Sequence, residues 1–173
     1  MTKKIFVLFA AVVIAASMVN AKEYKNSIGM VAGTGIGVQF KTMVQPNFTI
    51  IEEFGYLGDY AAAGNGWTMG YMGAVDNLVL AYQATATEGQ GIQLDWYAGG
   101  QIRGGYTAGD GGVVGGGAAA GIEAIMQNAP IAFSFDFRPG YVCIFTPGAS
   151  PTGGLGIGHA FDWALNLGVR YTF

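Results

Sequence analysis

The last thirteen residues constrain this chain more than any other feature. Phe161, Trp163, Leu165, Leu167, Val169, Tyr171 and Phe173 are apolar, and Asp162, Ala164, Asn166, Gly168, Arg170 and Thr172 fall between them. Strict alternation over that length specifies a β-strand with one greasy face and one polar or small face. Two environments satisfy such a strand. A soluble sheet buries the apolar face in a core; a membrane barrel turns it to lipid and keeps the small and polar residues inside. The aromatic that ends the apolar register favours the barrel.

The same alternation recurs upstream. Ile131, Phe133, Phe135, Phe137, Pro139, Tyr141, Cys143 and Phe145 oppose Ala132, Ser134, Asp136, Arg138 and Gly140. Leu94, Trp96, Ala98, Gly100, Ile102, Gly104 and Tyr106 oppose Gln93, Asp95, Tyr97, Gly99, Gln101 and Arg103. Shorter stretches repeat it: Ile36/Val38/Phe40 against Gln39/Lys41, Leu78/Leu80/Tyr82 against Val79/Gln83, and Ala120/Ile122/Ala124/Met126 against Gly121/Glu123. Charge then discriminates between the environments. Only 11% of the 173 residues are charged and 51% are hydrophobic, against about 25% charged in an ordinary soluble domain. On these registers Lys41, Arg103, Arg138 and Arg170 share the inner face with Asp95, Glu123, Asp136 and Asp162. Charges inside and aromatics outside describe a protein whose solvent is a bilayer. The 30 glycines suit a narrow barrel with little room for side chains. A net charge of −3 without a Lys/Arg cluster argues against nucleic acid as a partner, and 13% aromatics argue against disorder.

The first 21 residues read as an address. Lys3 and Lys4 precede a stretch from Ile5 to Met18 that is apolar but for Ser17, and Val19-Asn20-Ala21 forms a cleavage site. This pattern predicts a secretory signal peptide cut after Ala21; a stretch of fourteen residues is shorter than the ~20 a spanning helix needs. The remaining 22–173 is expected to be one barrel domain with six basic and eleven acidic residues. Cys143 is the single cysteine, so no internal disulfide can form.

Turn signals fall at Met43–Asn47, Ala61–Trp67, Thr87–Gly91, Thr107–Gly112, Asn128–Pro130 and Thr146–Ala160. Six breaks give seven segments, whereas single-chain bacterial barrels have even strand numbers. A further hairpin at Gly33-Thr34-Gly35 yields eight strands: 26–33, 35–44, 48–60, 75–86, 92–106, 113–127, 131–145 and 160–173. The predicted fold is therefore an all-β, antiparallel, up-and-down transmembrane barrel. Short turns lie at the end that carries both termini, and the longer loops 61–74, 107–112 and 146–159 lie at the other. Glu52-Glu53 sends one carboxylate outward in either register; Glu53 is taken as the inner one, completing an interior network of Lys41, Glu53, Asp95, Arg103, Glu123, Asp136, Arg138, Asp162 and Arg170.

Three segments carry a family resemblance. The ending Asn166-Leu-Gly-Val-Arg-Tyr-Thr-Phe173, the stretch Asp95-Trp-Tyr-Ala-Gly-Gly-Gln-Ile-Arg-Gly-Gly-Tyr106, and Ala129-Pro-Ile-Ala-Phe-Ser-Phe-Asp-Phe-Arg-Pro-Gly140 resemble small eight-stranded outer-membrane β-barrel proteins of Gram-negative bacteria. The resemblance spans roughly residues 26–173. It implies an outer-membrane location, contact with outer-membrane lipid and lipopolysaccharide, and reading of the terminal strand by the barrel assembly machinery through Val169, Tyr171 and Phe173. It implies fold and place more than activity.

Candidate chemistry is sparse. His159 and Asp162, with Ser150 nearby, could be read as hydrolase machinery, but a single His without a second acid or base at matching depth lacks a partner. The glycine clusters 33–37, 111–117 and 153–158 are followed by no Gly-Lys-Ser/Thr, which removes the phosphate-loop reading. Asn47-Phe48-Thr49 matches a glycosylation sequon that is uninformative in a bacterial context, and Cys143 falls on the lipid register as a small apolar residue. No catalytic residue, cofactor or metal is expected. The expected role is structural or surface-contacting, with loop 146–159 meeting an extracellular partner. Two alternatives are a narrow pore or carrier of small lipophilic molecules, and a soluble periplasmic lipocalin-like binder of an apolar ligand.

Overall fold

The structure, a computed structural model, describes residues 24–63, 66–107, 111–148 and 155–173, with side chains for all of these except 56–73 and 107. The expected signal peptide and its cleavage site lie outside the described residues, as do Asn65, Asp110 and Ser150. Eight antiparallel strands follow in chain order: β1 (Asn26–Gly33), β2 (Gly35–Gln45), β3 (Phe48–Ala63), β4 (Gly66–Gly89), β5 (Ile92–Thr107), β6 (Gly112–Met126), β7 (Ile131–Thr146) and β8 (Gly156–Thr172). Each pairs with its chain neighbours, and β8 returns to β1 to close the sheet into a barrel. No backbone edge is left between first and last strands, which matters because an open edge presents unpaired N–H and C=O groups.

The registers define the stagger. Pairs followed from Ile28 run through Phe40, Glu52, Leu78, Ile102, Gly116 and Tyr141 to Phe161. Ile28 itself pairs with Tyr171, ten residues further along the same strand. Such a shear tilts the strands by ~35–45° to the barrel axis and leaves an interior that side chains can fill.

The chain ends meet at one rim, where the Asn26 and Phe173 amides each donate to the other residue's carbonyl at 3.0 and 2.8 Å. The connections 46–47, 90–91 and 127–130 lie at that same rim. Gln90 and Gly91 both take positive φ, 54° and 81°, as a two-residue hairpin turn matching the twist of its strands requires. The turn is thus tighter than the 87–91 expected from composition.

Two expectations are corrected. The described part of 61–74 is strand and not an outward loop: β3 continues to Ala63 and β4 starts at Gly66, with cross-strand pairs from Gly58↔Tyr71 to Ala63↔Gly66. Alanine and glycine there resemble a loop by composition, yet backbone pairing needs no side chain, and the β3–β4 ladder continues through them. Likewise β8 begins at Gly156 rather than 160, shortening the connection expected at 146–159. The remaining strand limits shift by one residue or less, apart from the far end of β4.

The β1–β2 hairpin is short, and it ends at Thr34, whose amide donates to the Leu165 carbonyl at 3.1 Å. Beyond it β3 pairs directly with β8, Tyr60 with Trp163 and Ala61 with Asp162. A register shift between Tyr56 and Gly58 sits where β3 leaves β2, and a bulge bends a strand in that way. The wall therefore narrows from eight strands to six toward the end opposite the termini.

Candidate functional site

The site is the contrast between the two faces of the wall. Because side chains alternate along each strand, one register sends most of the large apolar residues outward. Phe133, Phe135 and Phe137 are 43–45% exposed on β7, and Ile102, Leu167 and Tyr106 are exposed by 62, 63 and 73%. Water would be a poor solvent for so much contiguous apolar surface.

Aromatic rings collect in two belts on this outer face. Near the rim with the termini, Phe48 meets Tyr82 edge-on at 5.8 Å between centroids, Tyr82 meets Trp96 at 5.7 Å, and Tyr171 stacks on Phe173 at 6.2 Å. Toward the other end stand Tyr106, Tyr141 and Phe161, with the His159 ring stacked on Tyr141 at 5.8 Å. Trp96 and Tyr106 on β5, and Tyr171 and Phe161 on β8, are each ten residues apart. At ~3.3 Å per residue and ~40° of tilt, the belts stand ~25 Å apart.

All nine interior charged residues named from sequence are buried, none more than 4% exposed. Starting at the rim with the termini, Glu123 takes two cations, Lys41 on one carboxylate oxygen and Arg170 on the other. Arg170 also donates to the Gln39 amide oxygen, and the Gln39 amide nitrogen donates to Glu53 at 3.1 Å. Arg138 is the next hub: its Nη1 lies 2.9 Å from Glu53 and its Nε 2.7 Å from Asp136. Asp136 also accepts from the Tyr97 hydroxyl at 2.9 Å and the Asn166 amide at 3.0 Å. Further along, Arg103 pairs with Asp162. Beyond the ion pairs, under the narrowed part of the wall, Val75, Val113 and Val142 pack together with Ile144 and Ala160 across the interior.

The network needs a glycine to assemble. Tyr97 on β5 faces Gly121 on β6, which faces Asp136 on β7. A Cβ at Gly121 would come within 2.6 Å of the Tyr97 ring. The bare backbone lets the ring lie across β6 and place its hydroxyl on Asp136.

Some residues that sequence reasoning left without a role belong to this interior. Gln39, Gln83, Tyr97 and Asn166 all bond to buried charges; their inward position was legible, but an uncharged side chain gives no pattern that names its partner. Tyr24 precedes the first strand and is 8% exposed, packed on Ile125 and Ala132 inside the rim. Burial and the charge of Glu123 raise its hydroxyl pKa above the ordinary value.

Other candidates separate. Asp162 faces inward and His159 outward on the same strand, so the two do not form a dyad. Cys143 is half-buried opposite His159. Glu53 is inside and Glu52 outside; Asp76, two residues from Leu78, is a second acidic residue on the outer face. Val169 and Phe173 are exposed by 52 and 41% on the outer wall, with Tyr171 against Phe173.

No protein-family model matches the chain. No curated protein matches it. Among solved structures the chain is similar to a major outer membrane protein from Thermus thermophilus, with a TM-score of 0.45 and 13% identity, covering 87% of this chain and 100% of that one.

Proposed function

We propose that this chain is an integral outer-membrane β-barrel with a structural or surface-contact role, whose interior ion pairs specify the barrel and conduct nothing. One observation carries the reading: a closed wall with large apolar residues outside and paired charges inside. Membrane-spanning barrels carry an apolar band ~25 Å tall flanked by aromatic girdles, and the belts here have that spacing. Residues 1–21, with their signal-peptide pattern, supply the export such a location needs. Outer-membrane lipid and lipopolysaccharide would contact the wall, the assembly machinery would read Val169, Tyr171 and Phe173, and the connection between Thr146 and Gly156 would meet extracellular partners.

Against a pore stands the apolar cluster of Val75, Val113 and Val142 across the interior, where ions would find no solvating group. Against a lipocalin-like binder stands the outward direction of the aromatic faces, which puts most of the rings on the outer wall and leaves the middle of the interior to paired charges.

The test is fractionation together with heat-modifiable electrophoresis. The protein should partition with the outer membrane and migrate differently when unheated than after boiling. Recovery in the soluble periplasm without a heat shift would overturn the reading. In planar bilayers the purified barrel should give no steady conductance; reproducible unit steps would replace the structural role with a pore.

A further inference from the structure

At the rim with the termini the interior opens into a cavity of about 550 Å³, lined among others by Tyr24, Met43, Gln83, Gln93, Asp95 and Ile125. Asp95 differs there from every other buried carboxylate. Glu53 and Asp136 share Arg138, Glu123 holds Lys41 and Arg170, and Asp162 holds Arg103. Asp95, 4% exposed, has no cation within ion-pair distance among the described residues. Its oxygens accept only amide hydrogens, from Gln83 at 2.6 Å and Gln93 at 2.9 Å. A buried carboxylate without an ion-pair partner is costly, and the cavity is where such a partner can enter.

A second group in the same wall asks for a donor. Gln83 is 2% exposed and spends its amide nitrogen on Asp95 and Glu123, while its amide oxygen is buried with no hydrogen-bond partner. The Lys41 ammonium is committed to Glu123, and Lys25 on the cavity lining is exposed. Tyr24, Met43 and Ile125 add apolar and aromatic surface. Among the described residues no three His, Cys, Asp or Glu side chains gather as a metal would need. One carboxylate and one amide oxygen beside apolar walls suit an ammonium, which brings three donors, better than a divalent cation, which takes six or more oxygens.

We propose that this cavity binds a small primary ammonium carried on an apolar or aromatic body, with its N–H groups donating to the Asp95 carboxylate and, once the Gln83 side chain turns its buried amide oxygen into the cavity, to that oxygen. The site requires only the folded barrel, so the heat shift on gels reports folding separately from binding.

The experiment titrates the protein purified in detergent micelles with 2-phenylethylammonium chloride, and separately with 2-phenylethanol, following saturation by calorimetry or ligand NMR. The ammonium should bind saturably and the alcohol roughly tenfold to hundredfold more weakly, the loss expected for a hydrogen-bonded charge. Asp95→Asn should weaken ammonium binding by a similar factor while the unheated gel band keeps its folded position. Met43→Trp, which fills the cavity and leaves the charges alone, should also abolish binding and decides the matter should Asp95→Asn fail to fold. Equal binding of alcohol and ammonium, unchanged affinity in Asp95→Asn, or no saturable ammonium binding in the wild type would each overturn the proposal.

Discussion

At the scale of single residues, the period-two alternation assigns a face from the sequence alone, because one register orients a whole strand. The nine charged interior residues are legible in that sense: Asp136 and Arg138 sit between phenylalanines, and both are buried. Their partners are not legible. Arg170 reaches Gln39 across 131 residues of sequence and Glu123 across 47, and only the closure of the barrel brings these strands together. Gly121 is a sharper case. In sequence it is one glycine among many in a thin-walled strand, yet in the structure it is the floor under the Tyr97 ring. Gly121→Ala should therefore destabilise the barrel by about 1–3 kcal/mol, the usual cost of overpacking. Gly100→Ala, whose added Cβ would meet only the Gly117 carbonyl oxygen at 3.8 Å, should be neutral or stabilising by up to ~1 kcal/mol. Urea midpoints of the folded gel band in micelles compare the two; equal losses would mean that Tyr97 does not lie over β6.

At the scale of elements, hairpins announced by strong turn chemistry were legible and ladders built from small residues were not. Pro46-Asn47 and Gln90-Gly91 punctuate alternating strands, and the chain turns at both. By contrast Ala61 to Ala63 carries no side-chain pattern that separates strand from loop, although its backbone pairs with Gly66 to Thr68. The pairing of β3 with β8 was equally hidden, because it follows from the shortness of β1 and β2 and not from any motif in β3. It has a direct test. Paired residues on neighbouring antiparallel strands place their Cα atoms ~4.5–5.5 Å apart, within the range a disulfide spans. In a Cys143→Ala background, Tyr60→Cys with Trp163→Cys, which are paired across the two strands, should cross-link on mild oxidation without disturbing the folded band. Failure to cross-link in protein that still shows the heat shift would mean that the wall stays eight strands wide to its far end.

At the scale of the whole molecule, the inner and outer faces invert the arrangement of a soluble protein, and the inversion makes energetic sense only with depth. Inside, charge is tolerable because the ion pairs are enclosed by the wall and the central ones are joined to further hydrogen-bonding groups: Arg138 touches two carboxylates, and Asp136 accepts from Tyr97 and Asn166 as well. Outside, the penalty for a charge should vary with height between the aromatic belts if lipid is the solvent, and should not vary if water is. Phe137 lies four residues from Phe133 and four from Tyr141 on β7, near mid-wall, whereas Tyr106 belongs to the far belt and is 73% exposed. For a barrel in a bilayer, Phe137→Arg should cost ~2–4 kcal/mol and Tyr106→Arg only ~0–1 kcal/mol. In water both residues are exposed aromatics and both substitutions should be mild. Reversible unfolding in lipid vesicles measures the pair, and a mid-wall cost no larger than the belt cost would remove the bilayer from the account. The same gradient bears on Glu52 and Asp76. Glu52 pairs with Phe40 and Leu78, and Asp76 with Phe54, so both acids stand among apolar neighbours on the outer wall. In lipid they penalise the very face that everything else makes favourable, and Glu52→Leu should accordingly raise vesicle stability more than it raises stability in micelles, where headgroups and water reach the wall more readily.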